Sequence, residues 1–295
     1  MDVHLLRTFV AVAQRSSFSD AARELGYTQS AVSQHVASLE NDLGVALLAR
    51  RPVSLTPAGA RLLEHARPLL LRLEAARVDV SQPVASPADH LRLGVSPLAV
   101  TARLVDVLTR IRRDRPRTRV TLRVLERATV AAQVATGSLD IGVVEGVVAA
   151  NDPLQLPDVG PLKTTGVHEE EVAVLLPAGH PLEGRERVHL ATLSDAQWID
   201  APEAATPLAQ LRTICGSDTL RGAFSYEGTE VQTVLELAAR GHGLVVLPRS
   251  VAQRATRVTA VALASPKLVH RTELLYNHTP QGPAEELVKA LLGHG

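Results

Sequence analysis

Cysteine is almost missing from these 295 residues. The single Cys215 has no partner for an internal disulfide and cannot join a multi-cysteine metal site. A lone thiol fits a reducing compartment. Aromatics are scarce as well: three Phe, three Tyr and one Trp, too few to stack successive bases of a single strand. Lysine is nearly absent, only Lys163, Lys267 and Lys289 standing beside 28 Arg. Acidic and basic residues balance at 31 each, so any attraction to a polyanion must be local. No apolar run approaches the ~18 residues of a membrane span. The N-terminus carries no basic region followed by an apolar leader. The expectation is a cytoplasmic chain with no membrane partner, and its length suits two or three domains.

Catalytic signatures are equally thin. There is no zincin pair, no phosphate-loop lysine motif, no dinucleotide glycine fingerprint and no Gly-x-Ser-x-Gly elbow. His168-Glu169-Glu170-Glu171 lacks the second His that a zinc-binding helix needs. Cys215, beside Ile214 on an apolar helical face, reads as a core thiol rather than a nucleophile. The expectation is therefore no enzyme, no metal and no cofactor.

The chain does carry an informative stretch, Phe18 to Leu43, which reads as two short helices joined by a tight turn. Ser19 is the expected N-cap, with Asp20 in the first turn, and Gly26 stops the helix in a left-handed conformation. Thr28 caps the second helix, whose apolar residues Val32, Val36, Leu39 and Leu43 make one buried stripe. Its other face presents Gln29, Ser30, Ser33, Gln34 and His35. An ordinary solvated face holds Glu and Lys, whereas neutral donors and acceptors suit base edges in a major groove. The pair reads as a helix-turn-helix, the second helix being the reader. A preceding helix over residues 2–15 supports it through Leu6, Phe9, Val10 and Ala13. Val45 to Leu55 reads as a small hairpin wing with Arg50 and Arg51 at its tip, within reach of phosphate.

Thr56-Pro57 opens a long helix, Thr as cap and Pro at the first helical position, and the same pair recurs at Ser96-Pro97 and Thr206-Pro207. Leu62, Ala66, Leu69, Leu73 and Ala76, continued by Val80, form a heptad seam expected to dimerise. Pro68 removes a backbone hydrogen bond, so a bend is expected over Glu64 to Pro68. Residues 81–90 read as a Pro- and Ser-containing hinge. Beyond it, strand and helix patterns alternate: strands at 91–95, 119–125, 139–144, 171–176, 198–199, 223–226, 244–247 and 268–276, and helices at 97–114, 130–136, 207–215, 230–240 and 283–292. That alternation argues for parallel βαβ units in two lobes with a ligand cleft between them.

Taken together, the chain resembles the LysR-type transcriptional regulators. The resemblance is carried by Leu-Arg-Thr-Phe-Val-Ala-Val-Ala from Leu6, Ser-Phe-Ser-Asp-Ala-Ala-Arg-Glu-Leu from Ser17, Thr-Gln-Ser-Ala-Val-Ser-Gln-His-Val-Ala-Ser-Leu-Glu from Thr28, and Leu-Thr-Pro-Ala-Gly from Leu55. Gly137-Ser138-Leu139-Asp140-Ile141-Gly142, His180-Pro181-Leu182 and Gly241-His242-Gly243-Leu244 add to it. It implies an α/β multidomain chain. A winged helix-turn-helix domain would span 1–58, a dimerising linker helix 59–80, a hinge 81–90 and a two-lobed effector-binding domain 91–295. The last would resemble a periplasmic binding protein, with lobe I at 91–163 and 267–295 and lobe II at 164–266. In such regulators a small molecule in the cleft alters the shape of a tetramer on two DNA sites. The DNA-facing set implied is Thr28, Gln29, Ser30, Ser33, Gln34, His35, Arg50 and Arg51. Gln34 stands where Arg is frequent, and Leu48 replaces a common Phe, which leaves the wing a smaller anchor.

Family-like cleft positions map to Ser96, Pro97, Thr129, Glu145, Asp200, Pro202, Glu227 and Thr229. Ser96 and Thr229 read also as helix caps, Gln232 completing a capping-box spacing with the second. Helix N-termini suit carboxylates or phosphates. Glu126, Glu145, Asp200, Glu227 and Glu230 at the same mouth would suit an amine or cation, or only line the rim. The sequence leaves the effector's charge open. It also leaves open two other functions, an exported solute-binding protein and a DNA-binding architectural protein whose effector domain holds no ligand.

Overall fold

The computed structural model describes residues 2–81, 90–159, 162–216, 219–255 and 257–293. The expected hinge at 81–90 falls outside them except for its two end residues, and so does the side chain of Cys215. Two compact units emerge, one built on residues 2–81 together with 158–159 and one on the rest of the α/β chain.

The N-terminal unit begins with α1 (Val3–Arg15), capped by Asp2, whose side chain accepts from the His4 N–H. Leu6, Phe9, Val10 and Val12 are buried along it. Helix α2 (Phe18–Leu25) is capped by Ser17, not Ser19: the Ser17 hydroxyl accepts from the Asp20 N–H. Ser17 is the residue in extended conformation before the first turn, whereas Ser19 already lies within the helix. Gly26 closes α2 at φ 72° and Gly44 closes α3 (Gln29–Leu43) at φ 68°, both left-handed. Thr28 caps α3 as expected, accepting from the Ala31 N–H at 3.2 Å. Val32, Val36 and Leu39 are fully buried, while Leu43 stays exposed and does not extend the stripe. Strands β1 (Leu48–Arg50) and β2 (Val53–Leu55) pair antiparallel as a minimal wing.

Helix α4 (Pro57–Ser81) runs without a break through Pro68. Thr56 caps it, accepting from the Gly59 N–H at 3.0 Å and donating to the Ala46 carbonyl at 2.8 Å. A Cβ on Gly59 would stand 2.0 Å from the Leu47 carbonyl oxygen, so the helix can pass the segment entering β1 only where a side chain is missing. The heptad seam divides here. Ala66 is fully buried, and Leu62, with Leu63 and Leu70, packs on the α1–α3 core. Those positions are not free for a partner, because α4 supplies the last wall of a three-helix core too small to close alone. Leu69 (49% exposed), Ala76 and Val80 (88%) face away, with Leu73 half-buried.

In the α/β unit, β3 (His90–Val95), β4 (Arg119–Val124) and β5 (Ile141–Ala149) are parallel, β3 in the middle. They are connected by α5 (Ala102–Asp114) and α6 (Arg127–Ala135). The expected helix from residue 97 is in fact a 3-10 turn over Pro97–Ala99 followed by α5. Its cap is Thr101, which accepts from the Leu104 N–H, whereas Ser96 makes no capping bond. The 15-residue β6 (Lys163–Pro177) passes through both halves. Its first part pairs antiparallel with β12 (Leu268–Tyr276); its second pairs with β10 (Val245–Pro248) and β11 (Val258–Ser265). Strand β7 (Arg187–His189) closes the path β4-β3-β5-β12-β6-β11-β7, and β8 (Gln197–Asp200) with β9 (Arg221–Ser225) forms a separate parallel pair. The sheet is therefore mixed rather than parallel throughout. β12 also pairs antiparallel with β5, a direction that helix–strand alternation cannot reveal. Helices α7 (Leu208–Cys215), α8 (Val231–Ala239), α9 (Arg249–Ala252) and α10 (Pro283–Leu292) complete the unit. No helix among the described residues is long and apolar enough to cross a membrane.

Candidate DNA-reading face and effector pocket

Helix α3 has one face locked into the core and one in water. Thr28, Gln29, Ser30 and Gln34 are exposed and Ser33 is half-buried. The Thr28 and Ser30 hydroxyls lie 3.0 Å apart, so the helix N-terminus carries adjacent donors and acceptors and no net charge. His35 turns the other way. Its Nδ1 is 3.3 Å from the Thr8 hydroxyl, and its ring meets those of His4 and Tyr27 at centroid distances of 4.6 and 5.5 Å. Of the sequence-derived reader set, His35 is therefore packed against α1 rather than presented with the others, because it lies three residues after Val32 and four before Leu39, on the side of the buried stripe.

The wing divides its two arginines. Arg51 is exposed in the β1–β2 turn. Arg50 instead reaches back to α3, donating to Ser33 Oγ at 3.1 Å and Glu40 Oε2 at 3.3 Å. Glu40, three turns along α3 from its start, accepts from the Leu47 and Leu48 N–H groups at 2.8 and 3.1 Å. The wing is thus hydrogen-bonded to the helix it flanks.

The α/β unit holds a pocket lined by residues from both halves, among them Arg127, Glu145, Pro202, Glu203, Thr206 and His270. Its volume is about 20 Å³, room for roughly one water. Glu145 Oε2 and His270 Nε2 are 3.0 Å apart, both groups nearly buried. Arg127 donates to the Glu145 carbonyl at 3.1 Å. It lies over Gly146, where an added Cβ would come within 2.4 Å of its Nη1. Glu203 is held above the ordinary carboxylate range, first by desolvation and then by repulsion from Glu126.

Of the sequence-derived cleft residues, only Glu145 and Pro202 line this pocket. Ser96 and Pro97 are buried and do not line it, Ser96 Oγ having no hydrogen-bond partner among the described residues, and Leu98 is the lining residue of that turn. Thr129 is half-buried on α6. Asp200 caps α7, accepting from the Leu208 N–H at 3.2 Å, the role expected of Thr206. Glu227 and Thr229 are exposed, and α8 begins after Glu230 with no side-chain cap, so Thr229 is not its cap. Arg127, Glu203, Thr206 and His270 escaped the sequence. His270 sits in an apolar strand pattern and Glu203 in a short loop, and neither has a neighbour of like chemistry at a telling spacing.

Comparison with known proteins adds to this geometry. Residues 3–60 match the family described as bacterial regulatory helix-turn-helix protein, lysR family, and residues 85–294 match the LysR substrate binding domain. A probable hydrogen peroxide-inducible genes activator of Mycobacterium avium is 31% identical over 92% of this chain and 86% of its own length. The HTH-type transcriptional regulator XapR of Escherichia coli strain K12 is also 31% identical, over 85% and 84%. Full-length BenM superposes with a TM-score of 0.54 at 25% identity, covering 99% of this chain and 95% of that one. CbnR complexed with its target DNA shares the fold at 21% identity and a TM-score of 0.52. Such relatives are regulators, not enzymes. The chain belongs to the LysR family and is a DNA-binding transcriptional regulator, with an N-terminal helix-turn-helix and a C-terminal effector-binding domain.

Proposed function

We propose that Thr28, Gln29, Ser30, Ser33 and Gln34 read base edges in a major groove, with Arg51 at the wing tip on phosphate. The observation that carries this is the uncharged hydrogen-bonding face of α3, left in water by a helix whose opposite side is fully buried. Neutral donors and acceptors discriminate bases, and the arginine supplies affinity. In this reading the protein acts in the cytoplasm as a dimer joined along Leu69, Leu73 and Ala76, and two dimers form a tetramer on paired DNA sites. A small molecule between the halves of the α/β unit, held by Glu145, Glu203, Arg127 and His270, biases DNA binding. Because the pocket admits about one water, the two halves must part for an effector to enter.

The test is footprinting with and without a broad metabolite set, beside thermal unfolding. An effector binding only the folded protein at a hundred times its Kd stabilises it by about 2.7 kcal/mol. Glu203→Gln or His270→Ala should abolish that shift and leave the effector-free footprint intact. An unchanged footprint and melt across the set would favour the ligand-free architectural reading. A peroxide response like that named for the mycobacterial relative could not run through an intramolecular disulfide here, since Cys215 is the one cysteine.

A further inference from the structure

Arg50 is held from two sides. Its Nη1 donates to Ser33 Oγ at 3.1 Å and its Nη2 to Glu40 Oε2 at 3.3 Å, both on α3. Its Cζ lies 5.5 Å from the centroid of the Phe18 ring on α2, within cation–π range. Glu40 is itself fixed by the Leu47 and Leu48 N–H groups. The guanidinium thus has a defined place between wing and reader helix.

The consequence falls on Ser33. A serine hydroxyl carries one proton and two acceptor lone pairs, and arginine has donors only. At the Arg50 contact Ser33 must accept. Among the described residues, Ser33 Oγ takes part in no other hydrogen bond, so its proton and one lone pair remain, and the positive guanidinium on the first lone pair polarises the hydroxyl toward donating and weakens it as an acceptor. We propose that Arg50 is a positioning residue that holds Ser33 in place and biases its hydroxyl to donate to a base acceptor, instead of being a phosphate contact itself. The proposal rests on α3 being the reader. In the major groove the acceptors are guanine N7 and O6, adenine N7 and thymine O4, while cytosine presents an N4 donor. Ser33 should therefore disfavour cytosine at the base it meets.

The experiment uses the full-length chain with Ser33→Ala, Arg50→Ala, Arg50→Lys, Arg51→Ala and the Ser33→Ala/Arg50→Ala double variant. Each is selected on a randomised duplex library. Affinities for the best duplex and its single-base variants are then measured over a salt series. The expected result is one position per half-site at which Ser33→Ala relaxes discrimination against cytosine by about tenfold. Arg50→Ala should relax the same position, and the double variant should relax it no further. Arg50→Lys should relax it in part, because an ammonium keeps the charge but not the fork that spans Ser33 and Glu40. The salt slope should hold for Arg50→Ala and fall by about one for Arg51→Ala. If Arg50→Ala unfolds the domain, Arg50→Lys carries the same comparison. Uniform weakening by Arg50→Ala with a slope reduced by about one would make Arg50 a phosphate contact and overturn the proposal. Relaxation by Ser33→Ala at a position that both Arg50 variants leave sharp would also overturn it, with the reader face intact. Ser33→Ala without effect at any position would overturn the reader face and the proposal together.

Discussion

At the scale of single residues, the molecule turns on a few atoms for which nothing else can substitute. Gly59 is one. An added methyl would meet the Leu47 carbonyl oxygen at 2.0 Å, and backbone on both sides cannot yield like a flexible side chain. Gly59→Ala should cost about 1–3 kcal/mol, read as a lower denaturation midpoint in urea with no change in slope. Gln29→Ala should weaken binding to the selected operator and spare the melt, since Gln29 is exposed; an unchanged preference for operator over random duplex would count against base contact. Glu203 predicts a pH effect. Its folded-state value lies above its unfolded one because burial and Glu126 disfavour the charge. The folded state then binds the extra proton, and stability falls as pH rises through the carboxylate range. Glu203→Gln should raise the melting temperature at neutral pH, and the gain should vanish below about pH 4. A gain independent of pH would mean that the effect is packing rather than charge.

At the scale of elements, α4 shows where pattern reading succeeds and where it stops. Its heptad was plain in the sequence, and Thr56-Pro57 marked its start. The partner of each seam position was not legible, because periodicity reports that a stripe is apolar and not what covers it. Ala66 is sealed in the N-terminal core while Leu69, Ala76 and Val80 face solvent. Different outcomes follow. Ala66→Glu should unfold the N-terminal unit, since it would bury an unpaired charge. Leu69→Glu with Ala76→Glu should leave each chain folded and shift the species to monomer, as light scattering on a sizing column would report. A dimer that persists would move the subunit contact elsewhere. Caps follow the same logic. Thr28 and Thr56 were readable because each stands directly before a clean helical period. Ser19 lost the cap to Ser17, two residues earlier, since helix starts shift by a residue or two with the incoming backbone; Ser96 lost it to Thr101 because a 3-10 turn intervenes, and α8 after Thr229 has no side-chain cap.

At the scale of the whole molecule, each unit carries one side of the function. The exposed polar face of α3 and the two-stranded wing were legible because they lie within about thirty contiguous residues, where helix period and turn chemistry act locally. The pocket was mostly illegible. Glu145 and His270 are far apart in sequence and meet only because β5 and β12 pair antiparallel, with Val147 opposite His270. Helix–strand alternation suggested parallel units, whereas β12 runs antiparallel to β5 and β6 runs antiparallel to β12, β10 and β11, which makes the sheet mixed.

By itself, the amino-acid order determined the helix-turn-helix, the long α4 and the bounds of β12 and α10, all set by short-range periodicity, capping and glycine geometry. Only the tertiary structure decided which polar groups converge on the pocket, that His35 packs inward, and that Arg50 holds Ser33 rather than pointing from the wing. Those outcomes depend on strand direction and on side chains meeting across elements, and neither leaves a periodic trace along the chain.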